Sequence, residues 1–345
     1  MHKAEIKKIL IIQTAFIGDV ILTTSLVEAT KKIFPDVVIH FIAIPSTGNI
    51  IETHPLLDKL WIFDKRGRDR GLINLFRFAK KLRVENYDLA LVPHRSLRSA
   101  VLAFWAKIPR SIGFNRSAAP FLFTDKIIYH QDIHEVERNL SLLTPFRKSF
   151  PKIMPRIYPD DTDILEIDRF VAENALNPDD VWIAIAPGSI WATKRWLKEG
   201  FTELCHKLGQ HQDVRIILIG GPDDRLLCEW IRKASEVKTV NTAGRFTLRQ
   251  SAEIIRRCRL IVTNDSAPLH IGVGVDTQVL AIFGPTVPAF GFYPYGENDI
   301  IFEKKVYCRP CSIHGGDKCP TGTFLCMKSI TANQIYREIL KILKI

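Results

Sequence analysis

The first apolar block of the chain, Lys8-Ile-Leu-Ile-Ile-Gln13, is a short run bounded by polar residues, which is the pattern of a buried strand. Thr14-Ala-Phe-Ile-Gly-Asp19 follows it, and a helical stretch then runs to about Phe34. Residues 37–43 read as the next strand. Over residues 72–85, Leu72, Leu75, Phe76, Ala79 and Leu82 recur near the helical period, and residues 89–92 are again strand-like. Strands alternating with helices predict a parallel sheet covered on both faces.

Pro145, Pro151, Pro155 and Pro159 then arrive close together, with Asp160, Asp161 and Asp163 behind them. This is the best linker in the chain. Beyond it the alternation restarts, with strands at 182–186, 215–219, 260–263 and 279–283 and helices at 197–208 and 248–258. The fold class predicted is α/β, with two Rossmann-like doubly wound units. Residues 1–155 form the first, 156–330 the second, and 331–345 are a terminal helix expected to return to the first. A ligand is expected in a cleft between the units, facing the carboxyl ends of the strands. No sequence repeat of solenoid length is visible.

The 345-residue length suits two domains, and a chain 46% hydrophobic and 25% charged is ordinary for a globular protein. Disordered and collagen-like classes are excluded. No apolar run approaches the roughly 18 residues of a membrane span. Residues 1–8 are charged and too poor in apolar residues for a signal-peptide core, so a cytoplasmic protein is expected. Charge is uneven. Residues 1–150 carry 23 Lys and Arg against 14 Asp and Glu, whereas residues 151–345 carry 25 against 23. The first half should therefore face something anionic, such as a nucleic acid, a phospholipid surface or a phosphorylated substrate; a merely solvated basic face is the plain alternative.

Several loops could carry chemistry. Gly18-Asp19 follows the first strand, where glycine lets backbone approach a ligand and a carboxylate caps the next helix or serves as a general base. Ala186-Pro187-Gly188-Ser189 and Thr193-Lys194-Arg195-Trp196 join a strand, a Gly/Ser loop and a Lys into a phosphate cradle. Its spacing is not that of a P-loop, and no dinucleotide fingerprint is present. Ile219-Gly220-Gly221-Pro222-Asp223-Asp224 closes another strand, where an acid can hold ribose hydroxyls or simply cap the next helix. In Asn264-Asp265-Ser266-Ala267-Pro268-Leu269-His270, Asp265 or Ser266 caps a helix whose first N–H groups would point at an anion. Gly272 and Gly274 allow close packing, and Phe283-Gly284-Pro285-Thr286 ends the next strand. Each piece alone has a structural explanation, but together they favour a nucleotide-diphosphate site.

These segments, with His134-Glu-Val-Glu-Arg-Asn139, resemble the ADP-heptose:lipopolysaccharide heptosyltransferases, most of all the members that add the second inner-core heptose. The resemblance spans nearly the whole chain. It implies the GT-B arrangement of two facing Rossmann-like domains, the first taking a Kdo–lipid A type acceptor and the second ADP-heptose. It makes Asp19 the base of an inverting displacement, with Lys194 and the helix start at Asp265–His270 stabilising the departing diphosphate without a metal. Gly18, Ser189, Thr193, Gly221, Asp223, Asp265, Ser266, Ala267 and His270 would bind the donor. Arg98, Arg116, His134 and Arg138 would meet the acceptor, with Arg66, Arg68 and Arg70 weaker candidates. A monomer in peripheral contact with the cytoplasmic face of the inner membrane is implied.

Cys205, Cys228 and Cys258 stand singly in helical segments, as small buried hydrophobes do. Cys308, Cys311, Cys319 and Cys326 cluster near the C-terminus. One C-x-x-C pair with a wider second spacing leaves structural zinc, reduced thiols, and disulfides or another cluster all open. His314 reads as a loop residue. Two other classes compete with the enzyme: a zinc-containing nucleic-acid-binding protein, disfavoured because Lys and Arg never form a run of five, and a non-catalytic sugar-nucleotide binder.

Overall fold

The structure is a computed structural model that describes residues 6–345. The charged start read over residues 1–5 lies outside the described residues. The chain divides into two compact units between Tyr158 and Pro159, three residues beyond the expected boundary and inside the proline-rich stretch.

The first unit is built of β1 (Lys8–Ile12), α1 (Ile17–Ile33), β2 (Val38–Ala43), α2 (Pro45–Ile51), β3 (Lys59–Ile62) and α3 (Leu72–Val84). It continues with β4 (Leu89–Val92), α4 (Leu97–Trp105), β5 (Arg110–Phe114), β6 (Asp125–Ile127) and α5 (Glu135–Ser141). Its sheet has the order β3-β2-β1-β4-β5-β6, parallel at every pairing. Strand β1 is central, covered on both faces, and Ile9 to Ile12 are wholly buried. That is why its sequence is a continuous aliphatic block rather than an alternating one.

The second unit contains α6 (Asp161–Glu173), β7 (Val181–Ala186), α7 (Lys198–Leu208), β8 (Val214–Leu218), α8 (Arg225–Ala234), β9 (Thr239–Asn241) and α9 (Leu248–Arg257). After these come β10 (Leu260–Asn264), α10 (Ala267–Gly274), β11 (Gln278–Phe283), β12 (Ile300–Glu303), α11 (Leu325–Lys328) and α12 (Ala332–Leu343). Its sheet order, β12-β11-β10-β7-β8-β9, repeats the connectivity of the first, again with parallel pairings. Asp160 caps α6, and Arg249 of α9 grips that helix start through Asp163 at 2.6 Å and Asp160 at 3.1 Å.

The terminal helix, expected to pack back on the first unit, is part of the second: Ile335 and Ile339 of α12 are wholly buried in its core, beside Leu204 and Leu208 of α7. Its apolar stripe is satisfied locally, and Tyr336 adds a 2.8 Å hydrogen bond with His211. Cys205 and Cys228 are buried in α7 and α8 as expected, whereas buried Cys258 is the residue that ends α9. Among the described residues no helix is long and apolar enough to cross a membrane.

Candidate active-site residues in each unit

In the first unit, Asp19 is the third residue of α1, not its N-cap. Phe16 occupies the cap position, and its N–H donates to Asp19 Oδ2 at 3.2 Å. Gly18 precedes it inside the helix. Surrounding protein atoms push the Asp19 carboxyl up to about 6, against the opposing pull of the Phe16 N–H, Arg95 and Arg138. Helix α5 packs on α1 and brings Glu135, whose carboxyl is buried. Burial lifts Glu135 to about 7, with the charge of Asp19 adding to the lift and Arg138 and Arg95 opposing it. A carboxylate so tuned can accept a proton near neutral pH.

The cations around this pair are themselves held. Arg138 is buried, lies 3.2 Å from Glu135 and donates to the Tyr129 hydroxyl. The Arg95 guanidinium lies 4.1 Å from the Tyr129 ring centre. Lys65 donates to the Thr14 carbonyl at 2.5 Å, and the Thr14 hydroxyl meets His94 Nδ1 at 2.9 Å. Burial pulls His94 down to about 4, so it is neutral at physiological pH.

In the second unit the loops after β7, β8, β10 and β11 lie at the carboxyl edge of one parallel sheet. Asn264 ties them together, its Oδ1 accepting the Trp196 N–H at 2.9 Å while its Nδ2 donates to the Pro187 carbonyl at 2.8 Å. Lys194 Nζ lies 2.7 Å from Asp265 Oδ2, and the Thr286 hydroxyl donates to that same oxygen at 2.6 Å. Ser266 is the N-cap of α10 but makes no side-chain capping bond, and Pro268 sits in the first turn. His270 is buried just behind. Burial pulls it down to about 4, opposed by Asp265 and assisted by Lys194, leaving a neutral imidazole. A partly covered ammonium at a helix start is an anion-binding arrangement.

The cysteine loop reaches this cradle. Gly316 N–H donates to the Thr193 hydroxyl at 2.8 Å, Cys311 N–H to the Pro285 carbonyl at 2.9 Å, and Arg309 to the Thr286 carbonyl at 2.6 Å. Gly315 has φ +89°, and a Cβ there would lie 3.1 Å from Lys194 Cγ. Cys311, Cys319 and Cys326 line one small cavity, yet the sulfurs of Cys311 and Cys319 are turned to other partners. Cys311 donates to the Cys308 carbonyl, and Cys319 accepts the Phe324 N–H at 3.3 Å. Among the described residues no three His, Cys, Asp or Glu side chains gather as a metal-ligand set. The thiol chemistry suits zinc; this side-chain geometry does not.

Other expected residues fall differently. His134 is wholly buried as the N-cap of α5, its Nδ1 accepting the Val136 N–H at 3.1 Å, so neither it nor buried Arg138 offers an open face to an acceptor. Arg98 and Arg116 are exposed, as are Arg66, Arg68 and Arg70. Asp223 points to solvent, and it is Asp224 that turns inward: a Cβ on Gly188 would lie 2.1 Å from its Oδ1. Gly221, expected at the donor, caps the intervening turn and donates its N–H to Asp224 at 3.0 Å. Ser189 and Ala267 are half-buried beside the cradle loops. Glu135, Arg95, Tyr129, Asp224 and Thr286 were given no role from the sequence, although Glu135, Asp224 and Thr286 stand inside motifs that were singled out.

The family model "Glycosyltransferase family 9 (heptosyltransferase)" matches residues 75–317. Lipooligosaccharide heptosyltransferase 2 of Haemophilus influenzae is 28% identical over 294 residues, covering 82% of this chain and 84% of that protein. Lipopolysaccharide heptosyltransferase 3 of Escherichia coli K12 is also 28% identical, over 299 residues, covering 83% of this chain and 84% of that one. The solved structure of E. coli ADP-heptose LPS heptosyltransferase II superposes with a TM-score of 0.80 at 21% identity, covering 98% of each chain.

Proposed function

We propose, for a chain that belongs to glycosyltransferase family 9, the heptosyltransferases, and has their GT-B fold, that the reaction is inverting transfer of heptose from ADP-heptose. The acceptor is the heptosyl-Kdo–lipid A inner core of lipopolysaccharide. Asp19 accepts the proton of the acceptor hydroxyl as that oxygen bonds to the anomeric carbon. The bond from the anomeric carbon to the β-phosphate oxygen breaks, and ADP departs with the electron pair. Lys194 and the start of α10 take up the charge arriving on the diphosphate. Arg98 and Arg116 belong to acceptor recognition, and Ser189, Ala267 and Asp224 to donor recognition.

The observation carrying this reading is the Lys194–Asp265–Thr286 cluster at the open start of α10. It fixes the Lys194 ammonium beside a helix start, where a leaving diphosphate gains a counter-charge, and no metal is needed for the step. The enzyme works as a monomer in the cytoplasm, peripheral to the inner membrane, and binds no nucleic acid. A second reading keeps the donor and changes the acceptor: the equal 28% identities to a type 2 and a type 3 relative favour neither position. Calorimetric titration with ADP, GDP and UDP, without added metal, tests the donor. Selective ADP binding supports the reading, and binding of none of the three defeats it. Transfer assays on acceptors with one or two heptoses then separate the two positions.

A further inference from the structure

Helix α3 buries Leu75, Phe78, Ala79 and Leu82 against the first unit's sheet. A helix with that core face normally carries mixed charge on the other. This one carries Arg77, Lys80, Lys81 and Arg83, no acid at all, and exposed Leu72, Ile73 and Phe76. Phe76 is 43% exposed and Phe121, in the turn Pro120–Leu122, is 76% exposed, and both line one groove. The groove, of ≈ 710 Å³, lies between α3, α4 and that turn. Its wall is stiff: Phe76 meets Trp105 edge-on at 5.5 Å, and Lys80 Nζ sits 4.9 Å from the Phe76 ring centre.

Two properties select the partner. The charged side chains lining the groove are Lys80, Arg83 and Lys107, all cationic, so the partner is anionic. The remaining lining is dominated by aromatic and aliphatic carbon, so the partner also supplies hydrocarbon. Cations set among aromatic side chains, as Lys80 is over the Phe76 ring, are the mixture an interfacial surface carries. The loop holding Arg66, Arg68 and Arg70 leads directly into α3 and extends the basic face. We infer that the groove between α3, α4 and Pro120–Leu122 is the surface by which this protein docks on an anionic phospholipid bilayer. Lys80, Arg83 and Lys107 meet phosphates, and Phe76, Phe104 and Phe121 enter the acyl boundary. This deepens the membrane part of the function proposed above and rests on it.

The test is flotation of the full chain with phosphatidylglycerol-containing vesicles and with pure phosphatidylcholine vesicles, without sugar donor or acceptor. Partition onto the anionic vesicles at least about tenfold above the neutral ones is expected. A Phe76→Ser/Phe121→Ser variant and a Lys80→Glu/Arg83→Glu variant should each lose about tenfold or more with an unchanged far-UV spectrum. Unchanged partition of both variants overturns the proposal. So does a wild-type dimer broken by the serine variant, or binding of an acidic polypeptide in place of vesicles. Inorganic phosphate abolishing vesicle binding at matched ionic strength would make the groove a phosphate site and overturn it too. The readout needs no turnover: a protein that transfers heptose yet ignores vesicles refutes the surface alone, and one that floats yet binds no ADP refutes the transferase reading alone.

Discussion

Lys194 Nζ stands 2.7 Å from Asp265 Oδ2, and that oxygen also accepts the Thr286 hydroxyl, so the cation is aimed before any nucleotide arrives. Preorganised charge of this kind serves both the bound diphosphate and the greater charge it gains on leaving. Lys194→Ala is therefore expected to weaken ADP binding by about 10- to 100-fold and to lower kcat as well. Titration calorimetry and steady-state kinetics on one preparation check both. Unaltered constants would remove Lys194 from the site.

Asp19, raised to about 6, must be ionised to take the acceptor proton. The activity should therefore fall as pH drops through about 6, with kcat/KM showing one acid limb. Asp19→Asn should cost roughly 100- to 10,000-fold in kcat while leaving ADP affinity nearly unchanged. A variant retaining turnover and the same acid limb would assign the base elsewhere.

Glu135 raises a stability question as well as a catalytic one. Its folded-state carboxyl, near 7, and that of Asp19, near 6, both lie above their ordinary values of 4.5 and 3.8. Between about pH 4 and 7 the folded state thus holds more protons than the unfolded one, and by linkage stability declines as pH rises through that window. Glu135→Gln removes one of these groups. Relative to wild type, the variant should gain about 2–3 kcal/mol between pH 4.5 and 8.5, read from urea unfolding at each pH. The acid limb of activity should stay near 6, because Glu135, titrating near 7, is already protonated and neutral where Asp19 titrates. A pH-independent stability difference would contradict the raised, buried Glu135 carboxyl.

The apolar blocks of β1, β2, β4, β7, β8, β10 and β11 were legible because strands covered on both faces need uninterrupted aliphatic runs. Strands β3, β6, β9 and β12 were not read from the sequence: all four are part-buried edge strands of three or four residues, so no long apolar run is required, whereas five-residue β5 escapes because Ser111 and Gly113 interrupt its run. Loop chemistry followed the same division. Gly188, Lys194 and Asp265 stand out because a strand precedes them and glycines or helix caps surround them. Asp223 and Asp224 are indistinguishable in a row; only the turn of Pro222–Asp224 decides which carboxylate points inward. His134 is expected to meet the acceptor, but its place at a buried helix start makes it a cap.

That turn makes the two aspartates separable. Asp224 accepts the Gly221 N–H and lies against Gly188, whereas Asp223 faces solvent. Asp224→Asn should weaken ADP binding by roughly tenfold, and Asp223→Asn should leave it unchanged. Gly188→Ala should imitate the first, since its Cβ would displace the Asp224 carboxylate. Equal effects from Asp223 and Asp224 would undo the assignment.

The cysteine loop sets a last expectation. It is fastened to the cradle through Gly316 and Thr193, Cys311 and Pro285, and Arg309 and Thr286, all bonds between protein groups. The charge of the leaving diphosphate falls to Lys194 and the start of α10, not to the thiols. Exhaustive chelation should therefore leave heptose transfer within about twofold of the untreated enzyme. Metal content by mass spectrometry, activity and thermal unfolding on the same chelated sample test this. An immediate loss of transfer, restored by metal and unaccompanied by unfolding, would place a metal in the chemistry and remove Lys194 from its role as the main counter-charge.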